Sequence, residues 1–444
     1  MTTSPTLPQQ RHEQRLPDAK PTYAPGEAVA EAQRCLYCHD APCVTACPTG
    51  IDIPGFIRKI ATGNLRGSAR TILSANLLGY SCARVCPVEV LCVGACVYNE
   101  WHRTPPIQIG RLQRYAVETV LVKDGGAALF TRAPGSGKRV ACVGAGPASL
   151  AAAGYLALEG VEVTLFEKRQ LAGGLNTSGV APYKMHVEGS LLEVEFIRSL
   201  GVKLREGVEV GRDVMPTDLL RDFDAVFLGI GLGADTGLGL PNETGPGVVG
   251  ATAWIEGMKL DPKFSLVGVR QAVVIGGGNT AIDTVRALAR LGVPGVSLAY
   301  RRTAAEMPGY RHELDLALKE GVRLIERAIP KAFVRDSAGR LSALQLQNGQ
   351  ELPADLVVLA IGQARQRELA GAFPGVALDS KGLVVADPGS GRTGNPKVYV
   401  GGDALSGGEL VVTAAQEGKR AARAIARALG LKIRIDAPLN TGHP

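Results

Sequence analysis

The 444-residue sequence predicts an α/β protein in which a small helical N-terminal domain precedes two domains of parallel strands covered by helices. Eight of the nine cysteines lie in the first 96 residues, where segments such as IPGFIRKIATGNL carry apolar residues at helical spacing. After residue 138, short apolar runs alternate with helical segments, as in proteins with parallel sheets. The runs are nearly continuous in Val, Ile and Leu, which is typical of strands buried on both faces.

A chain of this length is too long for one hydrophobic core, and its composition changes near residue 130. The segment TRAPGSGK is rich in Gly, Pro and Ser and predicts a linker. We therefore divide the chain into seven segments: a polar leader (1–22), a helical domain (23–130), a linker (131–138), the first part of one dinucleotide-binding domain (139–265), a second such domain (266–365), the remainder of the first (366–430) and a C-terminal tail (431–444).

The net charge of +7 does not indicate nucleic-acid binding, because Lys and Arg are spread along the chain without a long basic run or interleaved aromatic residues. The first twenty residues carry charges and prolines, and no stretch reaches the roughly 18 apolar residues of a membrane span. These features predict a cytoplasmic protein without membrane or nucleic-acid partners. In a reducing compartment, clustered cysteines more often bind metal or take part in catalysis than form disulfides.

A glycine-rich loop, GAGPAS, joins the predicted strand RVACV to the predicted helix LAAAGYLALEG. Its glycines, Gly144 and Gly146, would let the backbone approach a pyrophosphate at the N-terminus of the helix. Glu167 stands 23 residues after Gly144, at the end of the next predicted strand, and can hydrogen-bond a ribose hydroxyl. Ser149 replaces the Gly or Ala that is usual at the third motif position, but its side chain is small enough for close helix packing. The loop therefore predicts a Rossmann-like dinucleotide-binding domain.

A second loop, GGGNTA (276–281), has the same strand–turn–helix setting, and QAVVIGGGNTAID resembles RVACVGAGPASLA about 132 residues earlier. One nucleotide-binding unit is therefore predicted to occur twice. The second strand of this repeat ends in YRR, where the first repeat has an acid. Arg301 and Arg302 could bind a 2′-phosphate, which would favour NADP, or they could be exposed arginines at the end of a strand.

Asp403 indicates which loop binds which cofactor. It follows two glycines and precedes a long helical segment near the C-terminus. Two-dinucleotide flavoproteins use such an Asp on the flavin ribityl chain, and the following helix directs its positive end towards the flavin ring. We therefore predict FAD at the first loop and NADH or NADPH at the second. The predicted FAD residues are Gly144, Gly146, Pro147, Ala148, Glu167, Gly174, Leu175, Gly402 and Asp403. The predicted NAD(P) residues are Gly276, Gly278, Asn279, Thr280, Arg301 and Arg302.

The N-terminal cysteines form two groups, Cys35-x2-Cys38-x4-Cys43-x3-Cys47-Pro and Cys82-x3-Cys86-Pro-x4-Cys92-x3-Cys96. The first spacing resembles the bacterial ferredoxin run, in which the fourth cysteine, followed by Pro, serves the other cluster. Eight thiolates could hold two [4Fe-4S] clusters or two structural zinc ions. No cysteine follows Cys142, so the redox-active C-x-x-C of disulfide reductases is absent from both dinucleotide-binding domains. Electrons from a flavin would have to leave through the N-terminal cysteines or an outside partner, which favours the clusters over zinc.

The chain from about residue 32 to residue 430 resembles the family of flavin and iron–sulfur subunits of bacterial dihydropyrimidine dehydrogenase, and is similar also to the N-terminal half of the single-chain animal enzyme. The likeness is most specific in four motifs: RCLYCHDAPC, ACPTGIDIPGFI, CARVCPVEVLCVGAC and IQIGRLQRYA. The resemblance implies a small N-terminal α-helical iron–sulfur domain followed by two Rossmann-like domains, one for FAD and one for NAD(P). The small subunit of glutamate synthase shares this architecture and is the alternative.

The resemblance further implies interleaved ligands for two [4Fe-4S] clusters. The first cluster would be bound by Cys35, Cys38, Cys43 and Cys96, and the second by Cys47, Cys86, Cys92 and Gln113. Gln113 lies in IGRLQRYA, where the glutamate synthase relatives tend to have an acid, and this favours the pyrimidine enzyme. Cys82 would then not be a ligand, although the residues alone leave its role open.

By the same resemblance, electrons would pass from NAD(P)H through FAD and the two clusters to a separate subunit, which contains FMN and iron–sulfur clusters and reduces uracil or thymine. No residue of this chain would then be catalytic for pyrimidine reduction, and a dimer of heterodimers is the expected assembly. Bacterial members commonly use NADH, which conflicts with the NADP interpretation of YRR, so the choice of nicotinamide stays open. The remaining alternative is a zinc-scaffolded dinucleotide-binding protein without turnover.

Overall fold

The computed structural model describes residues 7–101 and 105–433, so the two ends of the chain, which include parts of the predicted leader and C-terminal tail, lie outside the described residues. The described chain forms two compact units. The larger unit comprises residues 20–177, 187–232 and 365 onwards, and the smaller unit comprises residues 178–186, 233–364 and the N-terminal segment up to Ala19.

The N-terminal part of the larger unit is helical, as predicted. Its helices are α1 (Pro25–Gln33), α2 (Pro42–Thr45), α3 (Ile53–Ala61), α4 (Leu65–Ala75), α5 (Gly79–Val85), α6 (Tyr98–Trp101) and α7 (Ile109–Asp124), with a 3-10 turn at Val88–Val90. The side chains of Asp52 and Asn64 cap α3 and α4 by accepting hydrogen bonds from backbone N–H groups of the first turn. Gly125, with φ of 63°, ends α7. Among the described residues, no strand precedes β1.

The chain then builds strands and helices in alternation. These elements are β1 (Arg139–Val143), α8 (Pro147–Leu158), β2 (Glu162–Glu167), α9 (Leu175–Ser178), α10 (Val187–Ser199), β3 (Lys203–Glu206), α11 (Pro216–Asp222) and β4 (Ala225–Leu228). Every residue of β4 is buried, and so is every residue of β1 after the first, which fits strands covered on both faces.

The smaller unit repeats this alternation and adds an antiparallel sheet. Its elements are β5 (Val248–Gly250), α12 (Ala251–Leu260), β6 (Gln271–Ile275), α13 (Asn279–Arg290), β7 (Gly295–Ala299), α14 (Arg311–Lys319), β8 (Arg323–Ile325), β9 (Pro330–Arg335), β10 (Leu341–Leu346), β11 (Glu351–Pro353) and β12 (Leu356–Leu359), with 3-10 turns at His12–Arg15 and Ala304–Glu306. Strands β9, β10 and β11 form the antiparallel sheet in the order β11-β10-β9.

The chain then returns to the larger unit with α15 (Arg367–Gly371), β13 (Val398–Val400), α16 (Asp403–Ser406) and α17 (Val411–Ala428). The two parallel sheets have matching orders, β13-β4-β1-β2-β3 in the larger unit and β5-β12-β6-β7-β8 in the smaller. In each sheet, the strand that leads into a glycine loop is central and pairs in parallel with its neighbours on both sides. The predicted α/β class with two Rossmann-like domains is therefore confirmed.

The predicted boundary at 265/266 lies inside the smaller unit. Val248 of β5 pairs with Val357 of β12, which joins the preceding residues to the second parallel sheet. The segment Ser178–His186 also belongs to the smaller unit, where Tyr183 is fully buried and its hydroxyl donates to Asp283 of α13 at 2.7 Å. These partners are about 100 residues apart in sequence, so no local pattern reveals them. Among the described residues, no helix is both long and apolar enough to cross a membrane.

Candidate cofactor sites and the helices between them

The first glycine loop follows β1 and ends where α8 begins at Pro147. Gly144 has φ of +83°, and a Cβ there would lie 2.6 Å from the carbonyl oxygen of Gly229, which follows β4. A side chain at this position would therefore strain the backbone and collide with the neighbouring strand. Ser149 occupies the third motif position, where its side chain is fully buried and its Oγ has no hydrogen-bond partner among the described residues. The serine at this position is thus accommodated, because its side chain is small.

Predicted flavin residues from distant parts of the chain converge at the N-terminus of α8. A Cβ on Gly174, which has φ of +58°, would lie 2.7 Å from the Cα of Gly146. A Cβ on Gly402 would lie 3.0 Å from the Cβ of Ala148. Leu175 begins α9 and Asp403 begins α16, so the elements that follow both glycines start at this point. The close backbone approach leaves a cradle at a positive helix end, which fits the pyrophosphate of a dinucleotide.

Two carboxylates border this cradle, of which Glu167 is buried and Asp403 is partly buried. Glu167 ends β2 and accepts hydrogen bonds from the backbone N–H groups of Ala145 and Arg169 at 2.8 and 2.9 Å. This fixes the carboxylate beside the glycine loop, and each oxygen keeps a lone pair for a ribose hydroxyl. Asp403 accepts from the backbone N–H of Glu409 at 3.2 Å, and burial raises the pKa of its carboxyl. Both side chains are therefore oriented by backbone donors.

The second glycine loop has the same construction in the smaller unit. A Cβ on Gly276 would lie 2.3 Å from the carbonyl oxygen of Ala360, so the loop presses against the neighbouring strand end. The space beside Gly278 is open, and α13 begins at the next residue, Asn279. Asn279 Oδ1 accepts from the backbone N–H of Tyr310 at 2.9 Å. An open helix N-terminus directly after a glycine turn is suited to binding a second pyrophosphate.

The remaining predicted NAD(P) residues lie near this loop in sequence or just after β7. Thr280 occupies the first turn of α13, where its carbonyl accepts from the Thr284 hydroxyl at 2.7 Å. Arg301 and Arg302 are exposed. Arg302 lies 4.0 Å from the Glu306 carboxylate, in a pair that is half exposed on both sides. The arginine pair is thus available to a ligand, although one member already faces an acid.

The N-terminal cysteines lie in two groups in the fold. Cys35, Cys38, Cys43 and Cys96 line one open cavity, together with apolar residues that include Ile53 and Ile57. Burial, and then the neighbouring Cys35 and Cys96, raises the pKa of Cys43 to about 12. Among the described residues, no three His, Cys, Asp or Glu side chains converge on a position for a single metal ion. Sulfurs that are grouped and desolvated in this way ionise only with a cationic partner, which fits an iron–sulfur cluster.

The second group lies around the end of α5. Burial, and then nearby Cys47, raises the pKa of Cys92 to about 12. The pKa of Cys86 is raised well above its ordinary value by hydrogen bonding to Cys82 and by burial, with smaller contributions from Cys92 and Cys47. Gln113 of α7 is buried, and its Nε2 donates to the carbonyl of Gly79, the first residue of α5, at 2.7 Å. The hydrogen bond holds this amide next to the helix that leads to Cys86.

A buried acid that the sequence did not single out joins α5 to the dinucleotide-binding part of the larger unit. Glu193 of α10 accepts hydrogen bonds from the backbone N–H groups of Tyr80 and Ser81 at 3.0 and 3.2 Å, and also from the Ser81 hydroxyl. Asn176 donates to the same hydroxyl at 3.0 Å. Burial raises the pKa of Glu193 to about 7. The carboxyl therefore caps α5 from the side on which the predicted flavin residues lie.

A second pair of contacts holds the C-terminal end of α4 against the same part of the unit. The hydroxyl of Tyr155 in α8 donates to the Ser74 carbonyl at 3.2 Å. The ammonium of Lys419 in α17 donates to the Ala75 carbonyl at 2.8 Å and lies 5.5 Å from the centre of the Tyr155 ring. These donors satisfy the last carbonyls of α4, so the helical part is fixed to helices that flank the glycine cradle.

A cysteine-rich helical domain joined to two dinucleotide-binding folds defines the class: two-dinucleotide flavoproteins that carry iron–sulfur centres. Residues 12–124 match the profile of dihydropyrimidine dehydrogenase domain II, 4Fe-4S cluster. Residues 138–418 match the pyridine nucleotide-disulphide oxidoreductase profile, and the chain belongs to that family. It is an NAD(P)-dependent oxidoreductase with sites for a flavin and a [4Fe-4S] cluster, which favours iron over the zinc alternative.

Curated relatives match nearly the whole chain. The glutamate synthase [NADPH] small chain of Escherichia coli (strain K12) is 34% identical over 435 residues, which cover 91% of this chain and 92% of the relative. The NAD-dependent dihydropyrimidine dehydrogenase subunit PreT of Salmonella typhimurium is 32% identical over 423 residues, which cover 94% of this chain and 98% of the relative. The predicted resemblance to both groups is thus confirmed, and the two identities differ too little to separate them.

Solved structures support the fold alone. Thioredoxin reductase of T. acidophilum aligns with a TM-score of 0.53 and 24% identity, covering 65% of this chain and 97% of the other. FprA of Mycobacterium tuberculosis, in complex with NADPH, aligns with a TM-score of 0.52 and 22% identity, covering 67% and 85%.

Proposed function

We propose that this chain is the electron-input subunit of a dihydropyrimidine dehydrogenase. It would accept reducing equivalents from NAD(P)H and deliver them to a separate subunit, containing FMN and iron–sulfur clusters, that reduces uracil or thymine to the 5,6-dihydro form. The observation that carries the pyrimidine assignment is Gln113, a neutral amide that is buried beside α5 where the resemblance implies a cluster ligand. An acid in this position would favour the glutamate synthase relatives.

The residues of this chain fit the cofactors that the proposal needs. FAD, when bound, would accept a hydride and release electrons one at a time to the clusters. The glycine cradle at α8 would hold its pyrophosphate, and Glu167 would orient its ribose. Asp403 would hold the ribityl chain, as its position before α17 suggests. The eight ligands of two [4Fe-4S] clusters would be the cysteines of the two groups, without Cys82, and Gln113.

The arrangement of α5 supports an order for the two clusters. The second cysteine group lies at the end of α5, whose first turn is capped by Glu193 from the dinucleotide-binding part of the same unit. The first group lies beside Leu36, a residue between two proposed ligands that is 46% exposed. We therefore propose that electrons enter through the second cluster and leave through the first, on the side where the partner subunit docks.

Glutamate synthase is the second candidate, since its small chain in Escherichia coli is 34% identical to this protein. In that case the same electron input would serve a large chain that forms glutamate from glutamine and oxoglutarate. Both candidates share the steps that occur in this chain, so the partner subunit is what separates them.

The test is reconstitution with each candidate partner. The purified chain is expected to be brown, to contain iron and FAD, and to reduce artificial dyes with NAD(P)H, but not to reduce uracil. Adding the FMN subunit should give uracil-dependent oxidation of NAD(P)H, in a complex whose mass is that of two heterodimers. Uracil reduction by the chain alone would overturn the proposal, and activity only with a glutamate synthase large chain would establish the second candidate. Zinc without iron or flavin would support the non-catalytic alternative instead.

A further inference from the structure

The turn that follows β7 packs directly against the second glycine loop. The Tyr300 ring is so close to Gly277 that a Cβ on this glycine would lie 2.3 Å from the ring. The Tyr300 hydroxyl donates to the Glu306 carbonyl at 2.9 Å, and the backbone N–H of Gly309 donates to the Gly277 carbonyl at 2.9 Å. Both ends of the segment 300–309 are therefore fixed beside the loop at which we place NAD(P)H.

The carboxylate of Glu306 is held in this turn by Thr303. The backbone N–H and the hydroxyl of Thr303 both donate to Glu306 Oε2, at 3.0 and 2.8 Å, in a capping box for the short 3-10 turn. The other carboxylate oxygen, Oε1, lies 4.0 Å from the Arg302 guanidinium. The hydrogen bonds from Thr303 lower the pKa of the Glu306 carboxyl, so it is ionised at neutral pH. The turn thus presents an arginine and an oriented carboxylate side by side.

This pair bears on the one group that distinguishes NADPH from NADH, the 2′-phosphate. Arginine after the second strand of such a fold is suited to binding that phosphate. A phosphate in contact with the same Arg302 nitrogen would lie within about 7 Å of the Glu306 carboxylate, since a charge-assisted hydrogen bond adds roughly 3 Å to the 4.0 Å of the ion pair. Two anions at this distance repel each other, whereas the ribose hydroxyl of NADH is uncharged.

A second acid reaches the same turn from the loop after β8. Glu326 Oε1 accepts from the backbone N–H of Ala304 at 2.5 Å, and the backbone N–H of Arg327 donates to the Arg302 carbonyl at 3.0 Å. Arg327 is exposed, as are Arg301 and Arg302. The two carboxylates therefore offset two of the three arginine charges around the turn, and Glu306 is the one that faces Arg302.

We propose that Glu306 is a specificity-determining residue whose carboxylate pairs with Arg302 and repels a 2′-phosphate, so that the site selects NADH over NADPH. The inference rests on the proposed function, because it requires the second glycine loop to be the NAD(P) site. An acid that selects NAD usually ends the second strand of the fold, where it binds the ribose. Here arginines follow that strand, and the selecting acid lies farther along the turn. Glu306 takes no part in hydride transfer in this role.

The test is isothermal titration calorimetry of the full-length chain with NAD⁺ and NADP⁺, and the wild type should bind NAD⁺ more tightly. Glu306→Gln keeps an acceptor for Thr303 but removes the charge. We expect its affinity for NADP⁺ to rise about tenfold, while its affinity for NAD⁺ stays within about twofold of the wild type. Adding Arg302→Ala to Glu306→Gln should abolish the gain, because the cation that would bind the phosphate is then absent.

Asp336→Asn is the matched control. Asp336 also pairs with an arginine four residues away, Arg340 at 2.9 Å, and accepts from backbone N–H groups, but it lies between β9 and β10 of the antiparallel sheet. The control changes the net charge by the same amount and should leave both affinities unchanged.

A wild type that prefers NADP⁺ would overturn the proposal, and so would an unchanged affinity for NADP⁺ in Glu306→Gln. A gain that persists without Arg302, or that appears equally in Asp336→Asn, would show a general effect of charge and overturn it as well. The titration measures binding without turnover and needs no partner subunit, so its failure is distinct from a failure to reduce uracil.

Discussion

At the scale of single residues, the buried carboxyl of Glu193 makes stability depend on pH. Burial raises its pKa from an ordinary value of 4.5 to about 7. Between these values the native state keeps a proton that the unfolded chain has released, so the free energy of unfolding falls as pH rises from about 4.5 to about 7. Above that pH both states are ionised and the contribution is constant. At roughly 1.36 kcal/mol per pKa unit, the fall is about 3 kcal/mol.

Denaturant unfolding of the wild type and of Glu193→Gln, from pH 4.5 to pH 8, isolates this contribution. The free energy of unfolding of the wild type, relative to that of the variant, should fall by about 3 kcal/mol as the pH rises across this range. Glu195→Gln is the matched control on the same helix, because Glu195 is half exposed and pairs with Arg198 at the surface. Its pH profile should follow the wild type. A pH-independent difference between wild type and Glu193→Gln would contradict a raised pKa at this position.

At the same scale, Arg301 and Arg302 after β7 bear on the choice between NADH and NADPH. Both arginines are exposed, and Arg302 faces Glu306. They are thus adequately explained as exposed arginines at the end of a strand, and we expect NADH to be the hydride donor. The double change Arg301→Ala with Arg302→Ala should then leave kcat/KM for NADH within about twofold, since no 2′-phosphate contact is lost. Steady-state dye reduction with each nicotinamide measures this. If the wild type prefers NADPH and the double change lowers kcat/KM for NADPH tenfold or more, the assignment of NADH as the donor is wrong.

At the scale of elements, the start of α9 lies against the start of α8, where we propose that FAD binds. Gly174→Ala adds a Cβ at a positive φ and only 2.7 Å from the Gly146 Cα, so backbone must move where the pyrophosphate is expected. We expect the purified variant to retain less than about one tenth of its flavin, because strain and displacement both fall on the cradle. The ratio of flavin absorbance to protein measures the loss.

Gly371→Ala is the matched control for this change. Gly371 ends α15 in the same unit, and a Cβ there would meet nothing within 4 Å. Its flavin content should equal that of the wild type, and the thermal stability of the variant should not fall. Full retention of flavin in Gly174→Ala would show that the cradle is not the FAD site.

The elements also show why part of the site could be predicted and part could not. The glycine loops were predictable because strand, turn and helix are adjacent in sequence, so the flanking strand and helix can be recognised together with the glycines. Glu193 was not, since its partners Tyr80 and Ser81 lie more than 110 residues away and an acid in a helix ordinarily indicates an exposed position. The contact of Lys419 could not be predicted for the same reason, because the carbonyl to which it donates is 344 residues away in sequence. The assignment of the cysteines to two clusters came from the resemblance, because their spacing alone allows several ligand sets.

At the scale of the whole molecule, the class of fold followed from alternation of strands and helices, but the division into units did not. The pairing of β5 with β12 and the burial of Tyr183 assign residues 233–265 and 178–186 to the smaller unit. Both depend on contacts that form only when distant segments meet. The cysteines, in contrast, all lie in the larger unit with the predicted flavin residues, so nicotinamide oxidation and electron exit should be separable by mutation.

Cys43→Ser tests this separation. Cys43 lies in the four-residue helix α2 and lines the first cysteine cavity, whereas the helical part is fixed to the glycine cradle through α4 and α5. We therefore expect flavin content and NAD(P)H-dependent dye reduction to stay within about twofold of the wild type, while electron delivery to the FMN subunit falls by at least tenfold, as loss of a metal ligand usually causes. Iron content should fall towards half. Equal losses in both activities would instead mean that the dye, like the partner, takes electrons from the first cluster, and nicotinamide oxidation and electron exit would then not be separable by this change.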